Sequence, residues 1–369
     1  MSSSISQAIA PHRAPRTDLV PIFEPEVDEV ANFIAIQSGK EKEKDAVAAH
    51  LRWFLLENSA RQPNHPLGFG LRSANQLVGC ILCSPQMFRL RETTILLMGS
   101  SLFYVDQKYR SSGGRIFLQY CRLGNQHPLF GTSANAEAAA LWKAAGANPI
   151  PYSDEELFGI LCWPPVAEEF AHRRRSNRLL LGLAGSRLAS VGGLLRPLKM
   201  DRRDVSGLRL LHSAEQVDEL LSAVPRYCPT LTAARDLPYL RWRYFSGRDQ
   251  TVAAFAFRTR TPGDEILVTV NQRARGYRGQ INTLNVLDVY PEVPSEEWLR
   301  IVGALIARYR NTVDAVVLRS QNPDRRRAFC ARGFQPRALD APNGWFLDPS
   351  KLLPTRDWYP VPADGDGLI

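Results

Sequence analysis

Ser133-Ala-Asn-Ala-Glu-Ala-Ala-Ala-Leu-Trp-Lys-Ala-Ala-Gly-Ala-Asn-Pro149 returns 187 residues later as Ser320-Gln-Asn-Pro-Asp-Arg-Arg-Arg-Ala-Phe-Cys-Ala-Arg-Gly-Phe-Gln-Pro336. Five of the seventeen aligned positions are identical, and each falls at a point with structural meaning. Asn135 and Asn322 stand where a strand gives way to a helix, the place for a side chain that accepts from a free helical N–H. Gly146 and Gly333 follow the last helical turn, where a left-handed residue ends the ladder. A second block, Leu51-Arg-Trp53 against Leu240-Arg-Trp242, repeats at an offset of 189. Two blocks at nearly one spacing indicate a tandem duplication of a unit of roughly 150 residues.

Hydrophobic periodicity supports one plan used twice. In the first copy it predicts helices over 28–37 and 43–58, a hairpin over 68–72 and 76–83, a long strand over 93–105, a helix over 114–124, a strand over 128–133, a helix over 135–145 and a last strand near Pro149. The second copy gives helices over 214–223 and 237–245, strands over 252–257, 265–270 and 281–287, a helix over 295–309, a strand over 313–318 and a helix over 323–332. Helices mixed with a largely antiparallel sheet define an α+β layer architecture. The expected division is an N-terminal arm (1–18), a first domain (19–165), a basic connector (166–204) and a second domain (205–369).

Charge is uneven. The chain of 369 residues carries +9, but residues 172–203 hold nine Lys or Arg against the single Asp201, so nearly all the excess belongs to the connector. A nucleic-acid binder needs basic faces on its domains, so no nucleic-acid partner is expected. Scattered cysteines, no apolar signal core and no long uncharged apolar run lead to a cytoplasmic, non-spanning expectation. Basic flanks around the apolar, glycine-rich stretch Leu179–Leu195 suit either peripheral contact with an anionic inner membrane face or a solvated interdomain helix. The six histidines show no ligand spacing, and Cys80 and Cys83 of C-x-x-C point to opposite faces of a strand. No metal is expected.

After the long strand comes Tyr104-Val-Asp-Gln-Lys-Tyr-Arg110-Ser-Ser-Gly-Gly114-Arg115, opening a helix. Backbone N–H groups at a helix start, with glycines that let an anion approach, make a diphosphate cradle. This stretch resembles the acyl-CoA pyrophosphate loop of the GCN5-related N-acetyltransferases, and Leu129–Gly146, with Asn135 and Trp142, resembles their second cofactor motif. His50-Leu-Arg-Trp53 through Glu57-Asn-Ser, and the tail from Asp357-Trp-Tyr to Asp364-Gly-Asp, are similar to a tandem-domain subgroup linked to polysaccharide or cell-envelope biosynthesis. The resemblance implies two tandem acyl-CoA N-acyltransferase-like domains, with acetyl-CoA or a longer acyl-CoA held by Val105, Arg110, Ser111, Ser112, Gly113, Gly114, Arg115, Asn135 and Trp142. Arg115 departs from the loop pattern, where a small residue is usual. The second copy reads Leu287-Asp-Val-Tyr-Pro-Glu-Val-Pro294 there, with two acids and no glycine, so it is expected to be a degenerate partner shaping the acceptor cleft.

Acyl transfer from a thioester to an amine needs a deprotonated amine, donors for an oxyanion and a route for the thiolate to leave. The family commonly places a tyrosine acid where this chain has Trp142, whose indole is no proton donor near neutral pH. Glu57 and Asp106 are the candidate bases and Tyr104 lies beside the expected thioester. For each the plain alternative stands: a solvated helix end, a turn opener and a packing tyrosine. The expected activity is N-acylation of a small-molecule, sugar or lipid amine, such as an amino sugar or envelope precursor. Two alternatives are a Fem-like aminoacyl transferase using charged tRNA and an inactive binding or scaffold protein.

Overall fold

A computed structural model describes residues 16–173, 198–200, 207–222, 228–246, 251–261, 264–276, 279–349, 351 and 353. Most of the expected arm, most of the basic connector and the Asp357–Asp364 tail lie outside the described residues.

The first half runs β1 (Asp18–Ile22), α1 (Val27–Gln37), α2 (Lys44–Leu56), β2 (Gly68–Ser73), β3 (Gln76–Arg91), β4 (Thr93–Val105), α3 (Gly113–Cys121), β5 (Leu129–Gly131), α4 (Ala136–Ala144), β6 (Asn148–Pro149), β7 (Glu155–Ile160) and α5 (Trp163–Arg173). The second runs β8 (Leu208–Leu211), α6 (Ala214–Ser222), β9 (Cys228–Ala233), α7 (Leu237–Tyr244), β10 (Val252–Arg258), β11 (Glu265–Arg275), β12 (Ile281–Tyr290), α8 (Ser295–Tyr309), β13 (Ala315–Leu318), α9 (Pro323–Ala331), β14 (Gln335–Ala338) and β15 (Trp345–Leu347).

Each half builds a sheet to the same order. One reads β1-β2-β3-β4-β5-β15-β6, with β9 of the second half pairing β3 off this path, and the other β8-β10-β11-β12-β13-β7-β14. Among the described strands only β4 with β5 and β12 with β13 run parallel. The sixth place in each sheet is filled from the other half. Trp345 of β15 pairs with both Gly131 and Pro149, and Phe158 of β7 pairs with both Val317 and Gln335. The sheets are therefore not continuous in sequence: residues 155–160 lie within the range 19–165 yet complete the second sheet, and residues 345–347 complete the first.

The exchange is held at its crossing. Ser153 Oγ donates to the Gly344 carbonyl at 3.1 Å, and the Asn343 N–H donates to the Ser153 carbonyl at 3.1 Å. Gly159 fits β7 to its adopted sheet, because a Cβ there would stand 2.6 Å from the Phe334 ring. Near the middle of the molecule the repeated Leu-Arg-Trp blocks meet. Trp53 Nε1 donates to the Trp242 carbonyl at 2.9 Å and Trp242 Nε1 donates to the Trp53 carbonyl at 3.1 Å. Reciprocal bonds between equivalent residues are what a local two-fold relation produces.

The repeat's punctuation is confirmed residue by residue. Asn135 Oδ1 accepts from the Ala138 N–H at 2.9 Å, and Asn322 Oδ1 accepts from those of Asp324 and Arg325. Gly146 and Gly333 both have left-handed φ, +82° and +99°. One apolar core draws on α1, α2, α6, α7 and both sheets, and a second packs α3 and α4 against the first sheet. Cys80 and Cys83 fall in different cores, on opposite faces of β3, and both are free thiols. Among the described residues no helix is long and apolar enough to cross a membrane.

Candidate functional site

The site begins as a defect in β4. Cys80 lies opposite Tyr104 while Leu82 lies opposite Ser101, so β4 carries one residue more than its partner. The surplus is taken up at Leu102, whose φ is +49°. A leucine in the left-handed region stores on the order of 1–3 kcal/mol, and such strain collects at working sites. β12 carries a bulge at the equivalent place, with Val270 opposite Val286 and Thr269 opposite Asp288.

On its other edge β4 pairs with β5 only at Met98–Leu129 and Gly99–Phe130. Beyond that the two strands part like a fork. Tyr120 of α3 closes the root, its hydroxyl donating to the Met98 carbonyl at 2.6 Å with the Phe130 carbonyl at 3.3 Å. Between the prongs lies a cavity of about 210 Å³ whose walls include Ile81, Ser101, Phe103, Tyr104, Asn135 and Trp142. An extended polar chain can lie along such an unpaired strand edge by main-chain hydrogen bonding.

The expected cradle stands at the end of this strand. Residues 107–112 form a 3-10 turn that runs into α3 at Gly113. Gly113 is buried, with Val105 Cγ2 at 3.4 Å from where its Cβ would be, so Val105 supports the loop from beneath. At Gly114 an added Cβ would meet nothing within 4 Å, which leaves that backbone open to approach. Ser111 is exposed and Ser112 partly so, and the Ser112 side chain makes no capping bond.

Arg110 reaches from this turn to Glu137 on the first turn of α4, at 3.3 Å. Both are largely exposed, so the pair is weak and open to exchange for a phosphate. Arg115 turns away, donating to the carbonyl and hydroxyl oxygens of Thr17 at 3.2 and 2.9 Å. Its bulk leaves the cradle unobstructed, and its charge is spent on the strand-side anchor.

Of the candidate catalytic residues, Tyr104 lines the cavity. The Asp106 carboxylate accepts from the Lys108 N–H at 2.8 Å and so caps the 3-10 turn. Glu57 is exposed just past α2 and is not a lining residue of the cavity. Trp142 is buried, edge-on to Phe117 and Tyr120 at 5.2 and 5.9 Å, and forms a wall of the cavity. Sequence reasoning passed over Leu102, Ser100 and Ser101, although two adjacent serines in an otherwise apolar strand are a visible break in pattern. Among the described residues no group of three or more His, Cys, Asp or Glu is placed to hold a metal.

The second half puts a buried arginine at the position that lines the cavity in the first. Arg325 occupies the position of Ala138 in the repeat. It is 2% exposed, donates to Glu292 Oε1 at 3.1 Å and the Val293 carbonyl at 3.3 Å, and lies over the Trp298 ring at 4.7 Å. Asp288, the other acid of that stretch, is buried and held by Arg235 and the Tyr244 hydroxyl.

Solved structures share this architecture. A probable N-acyltransferase from Enterococcus faecalis V583 aligns over 90% of this chain and 72% of its own, at 11% identity and a TM-score of 0.52. A GCN5-related N-acetyltransferase from Anabaena variabilis gives the same coverage and identity at 0.51. The fold is that of the GCN5-related N-acetyltransferases. Saccharomyces cerevisiae N-myristoyltransferase, solved with myristoyl-CoA, also matches this acyltransferase fold, over 96% of the chain and 86% of its own at 12% identity and a TM-score of 0.55. No family model and no curated protein sequence matches the chain.

Proposed function

We propose that the chain is an N-acyltransferase in which the first half binds an acyl-CoA and the second half, sealed by Arg325, frames the acceptor. The observation that carries this reading is the fork: a strand that bulges at Leu102 and parts from β5 next to a helix start with an open Gly114 backbone. The CoA diphosphate sits at that helix start, with Arg110 exchanging Glu137 for phosphate. The pantetheine arm follows the β4 edge and the thioester reaches the bulge. The neutral amine attacks the thioester carbon, the N–C bond forms as the C–S bond breaks, and the amine's surplus proton passes to solvent while the sulfur leaves as thiolate. Trp142 supplies a wall and no proton, and a thiolate needs little help to depart. We read the acceptor as the amine of a sugar or envelope precursor and the donor as acetyl-CoA or a longer homologue, on the strength of the tandem-subgroup motifs. We also read the enzyme as cytoplasmic from its scattered cysteines, with peripheral membrane contact through the basic residues 172–203.

Binding without turnover is the second reading. It is favoured by the engagement of Asp106 in a turn and the exposed place of Glu57 at a helix end. Calorimetry with acetyl-CoA, palmitoyl-CoA and tRNA, followed by free-thiol release against an amine library, separates the readings. Ala138→Arg copies the second half's plug into the first. It is expected to raise the CoA dissociation constant about 100-fold or more while leaving the melting curve near that of the parent. Unaltered CoA affinity in that variant removes the fork as the donor site.

A further inference from the structure

The second sheet carries a cavity that shares no wall with the fork. β7 shows which side it is on: Gly159 faces Phe334 and the α8–α9 layer, whereas Phe158 faces the other way, packed with Val166 of α5. On this α5 side lies a space of about 440 Å³, with Glu156, Glu169, Arg275, Arg319 and Arg337 in its walls. A smaller space of about 70 Å³ adjoins it, sharing Arg275 and Arg319 and adding Asn271, Arg273 and Asn285.

A directed chain of hydrogen bonds runs along these walls. Arg275 donates to both oxygens of Glu156, at 3.0 and 3.1 Å, and to Asn285 Oδ1 at 3.0 Å. Asn285 Nδ2 then donates to Asn271 Oδ1 at 2.9 Å. A guanidinium can only donate, so the orientation of both amides is fixed from that end. The chain must therefore finish in a donor. That donor is Asn271 Nδ2, on a side chain 1% exposed, and it has no acceptor within the protein. A buried polar group left so costs about 1–3 kcal/mol and calls for an explanation. Arg273, Arg275, Arg319 and Arg337 stand in the walls beside Glu156 and Glu169. Glu156 is further covered by Arg337 at 3.4 Å, and Glu169 accepts from Gln280 Nε2 at 2.7 Å.

We infer that this is a binding site for a small anion, a molecule carrying a carboxylate or phosphate group whose oxygen accepts from Asn271 Nδ2 and lies beside Arg273 and Arg319. The smaller space takes the anionic head, and the larger one, walled in part by Phe158, Val166 and Ile281, takes the remainder of the molecule.

The test uses the full chain carrying Gly114→Glu, which sets a carboxylate at the open helix start so that the donor cleft adds no anion affinity of its own. Inorganic phosphate and succinate are titrated by calorimetry at ionic strength held constant with KCl. Saturable binding of one of them is expected, and which one identifies the head group. Asn271→Asp, which turns the terminal donor into an acceptor, and Arg319→Gln, at a half-exposed position that tolerates change, are each expected to weaken that binding at least tenfold. Heat that never saturates with either anion, or an affinity unchanged in both variants, overturns the site and leaves a water on Asn271.

Discussion

Ala138 and Arg325 occupy one position of the repeat and give it opposite meanings, open in one half and sealed in the other. Arg110 pairs with the exposed Glu137, and in the proposed complex a phosphate takes that carboxylate's place. Glu137→Gln is expected to tighten CoA binding about threefold, the scale of an exposed ion pair, as read by calorimetry at low salt. His127 offers a pH signature. Burial first, and then the nearby His65 ring at 5.6 Å, hold its pKa below the usual 6.5. The unfolded chain takes up that proton at the ordinary value and the native chain resists it, so stability is lost as pH falls from 6.5 through the lower native value. Melting temperatures measured across that range should fall less steeply in His127→Asn. At this scale the sequence was partly legible. Asn135, Gly146 and their counterparts were readable because a cap needs a particular side chain or a particular φ. The role of Arg115 was not, because a long side chain's direction depends on what surrounds it, here Thr17.

Among the elements, the fork matters most. Two strands that run parallel for two residues and then part need a fastening at the root, and the Tyr120 hydroxyl supplies it from α3. Burial raises its pKa well above 10, so the donor stays protonated at any working pH. Tyr120→Phe is expected to cost about 1–2 kcal/mol by urea denaturation and to weaken CoA binding, since the root of the cleft loosens. The long helices and β4 were readable from their period. β7 and β15 were not: β15 has only three residues, and β7, although bounded by Pro151 and by Pro164-Pro165, finds both of its partners, β13 and β14, in the other half. The bulge is less legible, since Ser100-Ser101 interrupts the apolar run of β4 without showing that the strand carries a residue more than β3.

For the molecule as a whole, the reciprocal exchange of β7 and β15 makes the halves interdependent, and the paired Trp53 and Trp242 bonds close the middle. Unfolding is expected to be one cooperative transition, with calorimetric and van't Hoff enthalpies agreeing. A fragment of residues 1–200 should lack the near-ultraviolet circular dichroism of ordered tryptophans and gain it on mixing with residues 201–369. Two separate transitions, or a fragment ordered by itself, would show that the exchange contributes little. The duplication itself was visible in two short blocks, but the trading of strands was not, because a repeat reports what is alike in two units and says nothing of which unit completes which.

That trade bears on how the protein is made. β5 leaves the ribosome more than 200 residues before β15, the neighbour it will pair with. Throughout that interval β5 has a neighbour on the β4 side alone, and its other edge stays open to wrong partners. A chain that stops before residue 345 leaves β5 and β6 without the strand that joins them, so the first sheet stays open.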